Sequence, residues 1–165
     1  MNSVYISIGS NLGDKKLNLK NAIKKINEKT KASEIIISSI YKTTPVGFES
    51  ENFFYNGVIK IVTPKQPNEL LTILKSIEKE MGRSEKISEI FQDRIIDIDI
   101  ILFNEIVLNS HELIIPHPEF TKRLFVLIPL LELEPKLLYP ENNTPIKDFL
   151  LNNSFLNQTL SKINF

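Results

Sequence analysis

The 165 residues carry 20 basic and 20 acidic side chains, no cysteine, and a hydrophobic content of 42%. That length and content suit one domain, residues 1–165, with a core of its own. The charge balance argues against a general nucleic-acid binder, and the missing cysteines exclude disulfide scaffolds, thiolate metal sites and cysteine nucleophiles.

The first residues lack the basic and apolar blocks of a secretory leader, and no apolar run approaches a membrane span. We therefore expect a cytoplasmic protein with no membrane partner. Residues 3–8 alternate Val4, Ile6 and Ile8 with Ser3, Tyr5 and Ser7, the period of a strand. Gly9-Ser10-Asn11-Leu12-Gly13-Asp14 then reads as a turn into a helix over 15–29, with Leu19, Ala22, Ile23 and Ile26 on its apolar face. Gly9 permits a positive-φ turn or the close approach of a ligand. A Walker loop is excluded, because no Gly-Lys-Ser/Thr follows at the required spacing.

Residues 34–44 read as a second strand that ends in Thr43-Thr44-Pro45-Val46-Gly47, where Pro45 and Gly47 break the pattern. Phe53, Phe54 and Tyr55 stand beside Asn56, just before a strand over 57–62. Such rings either cap the core or stack a flat heterocycle whose edge an amide reads. Pro67 and Glu69 suit the first turn of a helix. Leu70, Leu71, Leu74, Ile77 and Met81 give that helix its buried face, with Glu78 at the boundary and Gly82 as its stop. Residues 83–94 are polar, with Arg83, Lys86 and Arg94 against Glu85, Glu89 and Asp93. Either a solvated connection or a mobile loop carrying cations over a ligand has this composition.

Residues 94–103 have the Ile, Leu and Phe density of a buried strand, interrupted by Asp97 and Asp99. Residues two apart in a strand share a face, and two unpaired carboxylates there are costly and raise each other's pKa. A hard divalent cation such as Mg²⁺ removes that cost. So does an outward polar face on an edge strand, or pairing with nearby Lys and Arg. Beyond this strand the sequence predicts a short return strand over 106–108 and a helix over 122–127, with His117 held extended between Pro116 and Pro118. Residues 129–165 read as packing material with a short helix over 146–151, and carry no evident chemistry.

The order β-α-β-β-α-β predicts an α+β, ferredoxin-like core with an antiparallel sheet, helices on one face, and a C-terminal extension. The opposite face is left for a site. Paired acids, the cations before them, and His117 and Arg123 after them make an inventory for phosphoryl-type transfer. With only His111 and His117, a three-histidine zinc site is excluded.

Several motifs taken together resemble the 6-hydroxymethyl-7,8-dihydropterin pyrophosphokinase family of folate biosynthesis. They are Tyr5-Ile-x-Ile-Gly9-Ser10-Asn11-Leu12-Gly13, Tyr41-x-Thr43-x-Pro45-x-Gly47, Phe54-x-Asn56 and Glu78-x-x-x-Gly82-Arg83. Arg94-x-x-Asp97-x-Asp99-Ile100, and Pro116-His117-Pro118 followed by Arg123-x-Phe125, complete the set. The resemblance implies transfer of the diphosphoryl unit of ATP, as co-substrate, to the hydroxymethyl oxygen of a reduced pterin, leaving AMP. It implies two Mg²⁺ ions on Asp97 and Asp99, with Arg83 and Arg94 beside the phosphates as catalytic groups. His117 and Arg123 would join them, Ile100, Leu113 and Ile114 would hold adenine, and Glu78 would support the nucleotide side. Pterin would lie between Phe54 and Phe125, read by Asn56 and by Thr43, Thr44, Pro45 and Val46, with Gly9 and Asn11 shaping that side.

The chain departs from the family pattern in the loop, where Glu85 stands in place of a second arginine and Phe91 in place of a tryptophan. Other readings are a metal-dependent phosphohydrolase and a regulatory domain that binds without turnover. The expected partners are small molecules, with no nucleic acid, on a monomer or homodimer.

Overall fold

The computed structural model describes residues 1–83 and 92–165; the loop departures at Glu85 and Phe91, like Lys86 and Glu89, lie outside the described residues. Three long strands lie side by side: β5 (Asp97–Phe103) at one edge, then β1 (Asn2–Ser10) and β4 (Phe54–Thr63). The shorter β2 (Glu34–Ile37), β3 (Ile40–Thr43) and β8 (Leu160–Ile163) lie to one side of them. The order is β5-β1-β4-β3-β8, with β2 also paired to β4, and every pairing is antiparallel. Helix α1 (Lys15–Thr30) follows β1, and α2 (Pro67–Glu80) precedes β5. This is the expected ferredoxin-like arrangement, in which the strand after the second helix pairs beside the first.

The alternation of β1 builds one core face. Val4, Ile6 and Ile8 pack with Ile59 and Ile61 of β4, with Ile98 and Ile100 of β5, and with Leu19, Ala22 and Ile26 of α1. From α2 come Leu70, Leu74 and Ile77, all fully buried. Each such side chain contributes about 1.5–3 kcal/mol on leaving water. Both helices end where the sequence predicts. Asp14 caps α1 by accepting from the Leu17 N–H at 3.0 Å, and Gly82, with φ of +89°, follows α2.

Helix α3 (Leu124–Leu133) covers half of the opposite face. Val126, Leu127 and Leu130 pack there on Tyr5, Val58, Ile101 and Leu102. The extension therefore fills part of the face expected to be free, and what remains open lies toward the start of β5. The expected stop at Leu127 is exceeded because buried Leu130 holds the next turn in place, although Pro129 sits inside the helix and lacks a donor.

The strand predicted over 34–44 is two strands. At the break, Ser38 Oγ accepts from the Val58 N–H at 3.0 Å and donates to the Ser39 carbonyl at 2.8 Å. The hydroxyl thus takes over a backbone partner's place. Residues 160–163, expected to be mere packing, form β8 on the edge of β3. A short ladder pairs β6 (Leu108–Asn109) with β7 (Ile114–Ile115), and α4 (Asp148–Asn152) lies near the end. Among the described residues no helix is long and apolar enough to cross a membrane.

Candidate active site

The site begins with a row across three strands: Gly9 pairs with Asn56 of β4 on one side and with Asp97 of β5 on the other. Gly9 lies inside β1, and the positive φ of the following turn belongs to Gly13, at +62°. What Gly9 supplies is space, since a Cβ there would stand 2.3 Å from Asn56 Oδ1. Asn56 is buried and donates from Nδ2 to Thr43 Oγ1 at 2.7 Å, so its amide orientation is fixed. Strand β4 reaches back to Phe54 rather than starting at residue 57, because β1 and β3 both pair with its first residues. Phe54 and Asn56 thus stand on rigid sheet.

A pocket opens over this row, with about 360 Å³ of empty space including its open mouth. Thr44, Val46, Phe48, Phe54, Asn56, Arg94, Asp97, Arg123 and Phe125 line it. The Arg94 guanidinium lies 5.4 Å from the Phe54 ring centre, and that of Arg123 lies 5.8 Å from the Phe125 ring centre. Phe48 meets Phe54 edge-on at 6.1 Å. A second pocket, about 660 Å³ on the same basis, lies toward β6 and β7. Ile98, Asp99, Ile100, Leu113, Ile114 and His117 line it, together with Leu71 and Lys75 of α2.

Asp97 therefore faces the first pocket and Asp99 the second, about 7 Å apart along one strand. Asp97 accepts from Arg83 at 2.7 Å and faces Arg94 Nη2 at 3.4 Å. Burial alone would raise its carboxyl, but Arg94, Arg83 and Lys75 outweigh that and hold it below its ordinary value. Arg83 also pairs with Glu78, which is 3% exposed. Glu78 accepts from the Ile98 N–H at 2.8 Å and from Lys75 at 2.9 Å. Burial pushes the Glu78 carboxyl up against the pull of these cations. Glu78 and Arg83 thus stand behind Asp97 and fix it, and neither is among the residues lining the two pockets.

A bulge places His117. The β1–β5 register shifts between Tyr5 and Ile6, and the Ile101 carbonyl accepts from the His117 N–H at 3.0 Å. His117 Nδ1 accepts from the Glu119 N–H at 3.1 Å, so the neutral ring carries its proton on Nε2. Burial pushes this imidazole down, against the opposing pull of Asp99.

The expected residues fall into place in two groups. Thr44, Val46, Phe54, Asn56 and Phe125 come together around the first pocket, and Thr43, Gly9 and Asn11 lie buried behind its wall. Arg94 and Arg123, expected on the nucleotide side, line this same pocket. Ile100, Leu113, Ile114 and His117 gather at the second, while Pro45 is among the lining residues of neither. Sequence reasoning missed Lys75, which stands 4.0 Å from Asp99. Its three-residue spacing to Glu78 on α2 was the available signal. Phe48 was missed as a lining residue too, although it opens the aromatic segment.

Arg94 was read as the end of a mobile loop, yet it is anchored. Its N–H donates to Asn11 Oδ1 at 2.7 Å, and its carbonyl accepts from the Asn11 N–H at 3.1 Å.

The profile of the family described as 7,8-dihydro-6-hydroxymethylpterin-pyrophosphokinase (HPPK) matches residues 5–135. The chain is 40% identical over 149 residues to the 2-amino-4-hydroxy-6-hydroxymethyldihydropteridine pyrophosphokinase of Aquifex aeolicus, covering 90% of this chain and 91% of that protein. It is 39% identical over 132 residues to the protein of the same name from Bacillus subtilis, covering 80% and 78%. Among solved structures, an HPPK-DHPS in complex with substrates superposes over 98% of this chain with a TM-score of 0.71 at 15% identity. At that identity the likeness speaks for the fold, and the chain spans 48% of that structure's chain.

Proposed function

The chain belongs to the 7,8-dihydro-6-hydroxymethylpterin-pyrophosphokinase family, and from that premise we propose that it transfers the diphosphoryl group of ATP to 6-hydroxymethyl-7,8-dihydropterin, releasing AMP. One observation carries the reading: adjacent carboxylates on a single strand face two different pockets, Asp97 the aromatic one and Asp99 the one beside β6 and β7. An enzyme that passes a diphosphoryl unit from a nucleotide to a stacked heterocycle needs charge control at the seam between their sites.

The donor set suits Mg²⁺. Asp97 and Asp99 project from β5 toward neighbouring pockets, and among the described residues no group of three or more His, Asp or Glu gathers to hold an ion. A hard ion that keeps waters and takes its remaining oxygens from phosphate fits this arrangement. Asp97 and Asp99 would hold two such ions, which when bound would neutralise phosphate charge and make the β-phosphorus more electrophilic.

The chain's own groups do the rest. Phe54 and Phe125 hold the pterin ring from its faces, and Asn56, locked by Thr43, reads its polar edge. This aims the hydroxymethyl oxygen at the seam, an orientation that lowers the entropic part of the barrier. Ile100, Leu113 and Ile114 take adenine. Arg94 and Arg123 reach toward the transferring phosphates from the pterin side, and Lys75 and the Nε2–H of His117 reach from the nucleotide side. Arg94 and Arg83 keep Asp97 ionised, and Glu78 holds Arg83 in place behind it. The hydroxymethyl oxygen attacks the β-phosphorus in line, the bond from that phosphorus to the α,β-bridging oxygen breaks, AMP leaves with that oxygen, and the hydroxyl proton passes to solvent.

The test is product analysis with ATP, Mg²⁺ and the hydroxymethyl dihydropterin. Pterin-dependent AMP formation is expected, together with a pterin diphosphate. AMP or free phosphate released at the same rate without pterin would overturn the proposal.

A further inference from the structure

We propose that Asp93 is a positioning residue: its carboxylate ties together two distant stretches of chain, the turn after β1 and the connection from β3 to β4, and so sets the geometry of the pterin pocket. This rests on the function proposed above. Asp93 itself lines neither pocket. Its Oδ1 accepts from Asn11 Nδ2 and from Ser50 Oγ, each at 2.6 Å, and its Oδ2 accepts from Asn52 Nδ2 at 2.6 Å. These donors lie 82, 43 and 41 residues away in sequence. Hydrogen bonds to an ionised acceptor are shorter and stronger than neutral ones, and three at this length make a firm tie.

Each arm of the clasp leads to the first pocket. Ser50 and Asn52 belong to the connection from β3 to β4, the same stretch that supplies Thr44, Val46 and Phe48 to the lining. Asn11 has both ends of its amide engaged, Nδ2 on Asp93 and Oδ1 on the Arg94 N–H. It is fully buried. Asp93 thus orients Asn11, Asn11 holds the backbone of Arg94, and Arg94 lies over Phe54 and beside Asp97. The second pocket shares no lining residue with this network. Losing the clasp should therefore slacken the pterin side most, and reach the nucleotide side only through Arg94. A helix or strand terminus does not explain the arrangement, because Asp93 lies before β5 and all three donors are side chains.

The experiment is calorimetric binding of 6-hydroxymethyl-7,8-dihydropterin and, separately, of an ATP analogue with a methylene bridge between its α- and β-phosphates. Asp93→Ala is expected to weaken pterin binding about 10- to 100-fold, the scale of losing charged hydrogen bonds. Binding of the analogue should fall clearly less than that of pterin, because Arg94 is the clasp's one link to the phosphates. Asp93→Asn combined with Asn52→Asp restores a matched donor and acceptor, and should recover most of the pterin affinity that Asp93→Asn alone loses. If Asp93→Ala does not fold, Asn52→Ala carries the test, because it removes one donor and leaves the carboxylate in place; weaker pterin binding with a clearly smaller loss for the analogue is expected. Wild-type pterin affinity in these variants, or an equal loss for both ligands, would overturn the clasp. A wild-type protein that binds the analogue but no pterin would overturn the functional reading itself.

Discussion

Gly9→Ala is a small change with a specific predicted consequence. The added Cβ would stand 2.3 Å from Asn56 Oδ1, about 1 Å inside ordinary van der Waals contact. The Asn56 side chain must therefore turn, and its 2.7 Å hydrogen bond to Thr43 Oγ1 breaks in a buried setting. Leaving a buried polar group unsatisfied costs about 1–3 kcal/mol. If that amide reads the pterin edge, pterin affinity falls about 5- to 150-fold. Forcing the methyl into a packed site costs stability of about 1–3 kcal/mol, near 2–4 °C of Tm per kcal/mol in a chain of this size. Stiffening of the unfolded chain by alanine offsets up to about 1 kcal/mol of this. The assay is steady-state kinetics with each substrate varied in turn, alongside thermal unfolding. We expect KM for pterin to rise and KM for ATP to stay within about twofold. A folded Gly9→Ala enzyme with wild-type KM for pterin would refute the argument, because the close approach at Gly9 would then have no bearing on recognition.

Two further predictions concern the charges behind the site. Glu78→Leu leaves Arg83 beside Asp97 alone and removes the acceptor of the Ile98 N–H. Arg83 keeps Asp97 as its partner, so the cost is that of the unsatisfied Ile98 N–H, about 1–3 kcal/mol, and Tm should drop by about 2–12 °C; an unchanged melting curve would contradict the network. His117 has its pKa lowered below 6.5 by burial. With the folded value depressed, its neutral form contributes stability that is present above pH 6.5 and lost as pH falls toward the folded value. The unfolding free energy of the wild type should therefore fall more steeply below pH 6.5 than that of His117→Gln, as measured by urea unfolding across that range. Parallel pH profiles would count against a buried neutral imidazole.

Much of the frame was legible because it follows from period alone. The alternation of residues 3–8 and the helical spacing of Leu70, Leu74 and Ile77 each mark one buried face, and the structure buries those faces together. Motif order likewise brought Phe54, Asn56 and Phe125 to one pocket and Leu113, Ile114 and His117 to the other. What escaped the sequence depends on tertiary partners. Ser38 splits a strand because Val58 lies opposite it, and no window around Ser38 contains Val58. Strand β8 has only four residues, two of them polar, and exists because β3 offers an edge. Arg94 looked mobile in a polar segment, yet Asn11, 83 residues earlier, holds it. Asp93 looked like one of several loop acids until Ser50 and Asn52 were found against it.

The central claim is that the seam at Asp97 and Asp99 moves a diphosphoryl unit from nucleotide to pterin. Its most direct test is to follow label from ATP marked on the β-phosphorus, in parallel with ATP marked on the α-phosphorus, in the presence of Mg²⁺ and the hydroxymethyl dihydropterin. The account predicts that β-label appears in the pterin product and α-label in AMP, and that both transfers collapse in Asp97→Ala and Asp99→Ala. Label from the β-phosphorus recovered in ADP, with only the terminal phosphate on the pterin, would contradict it.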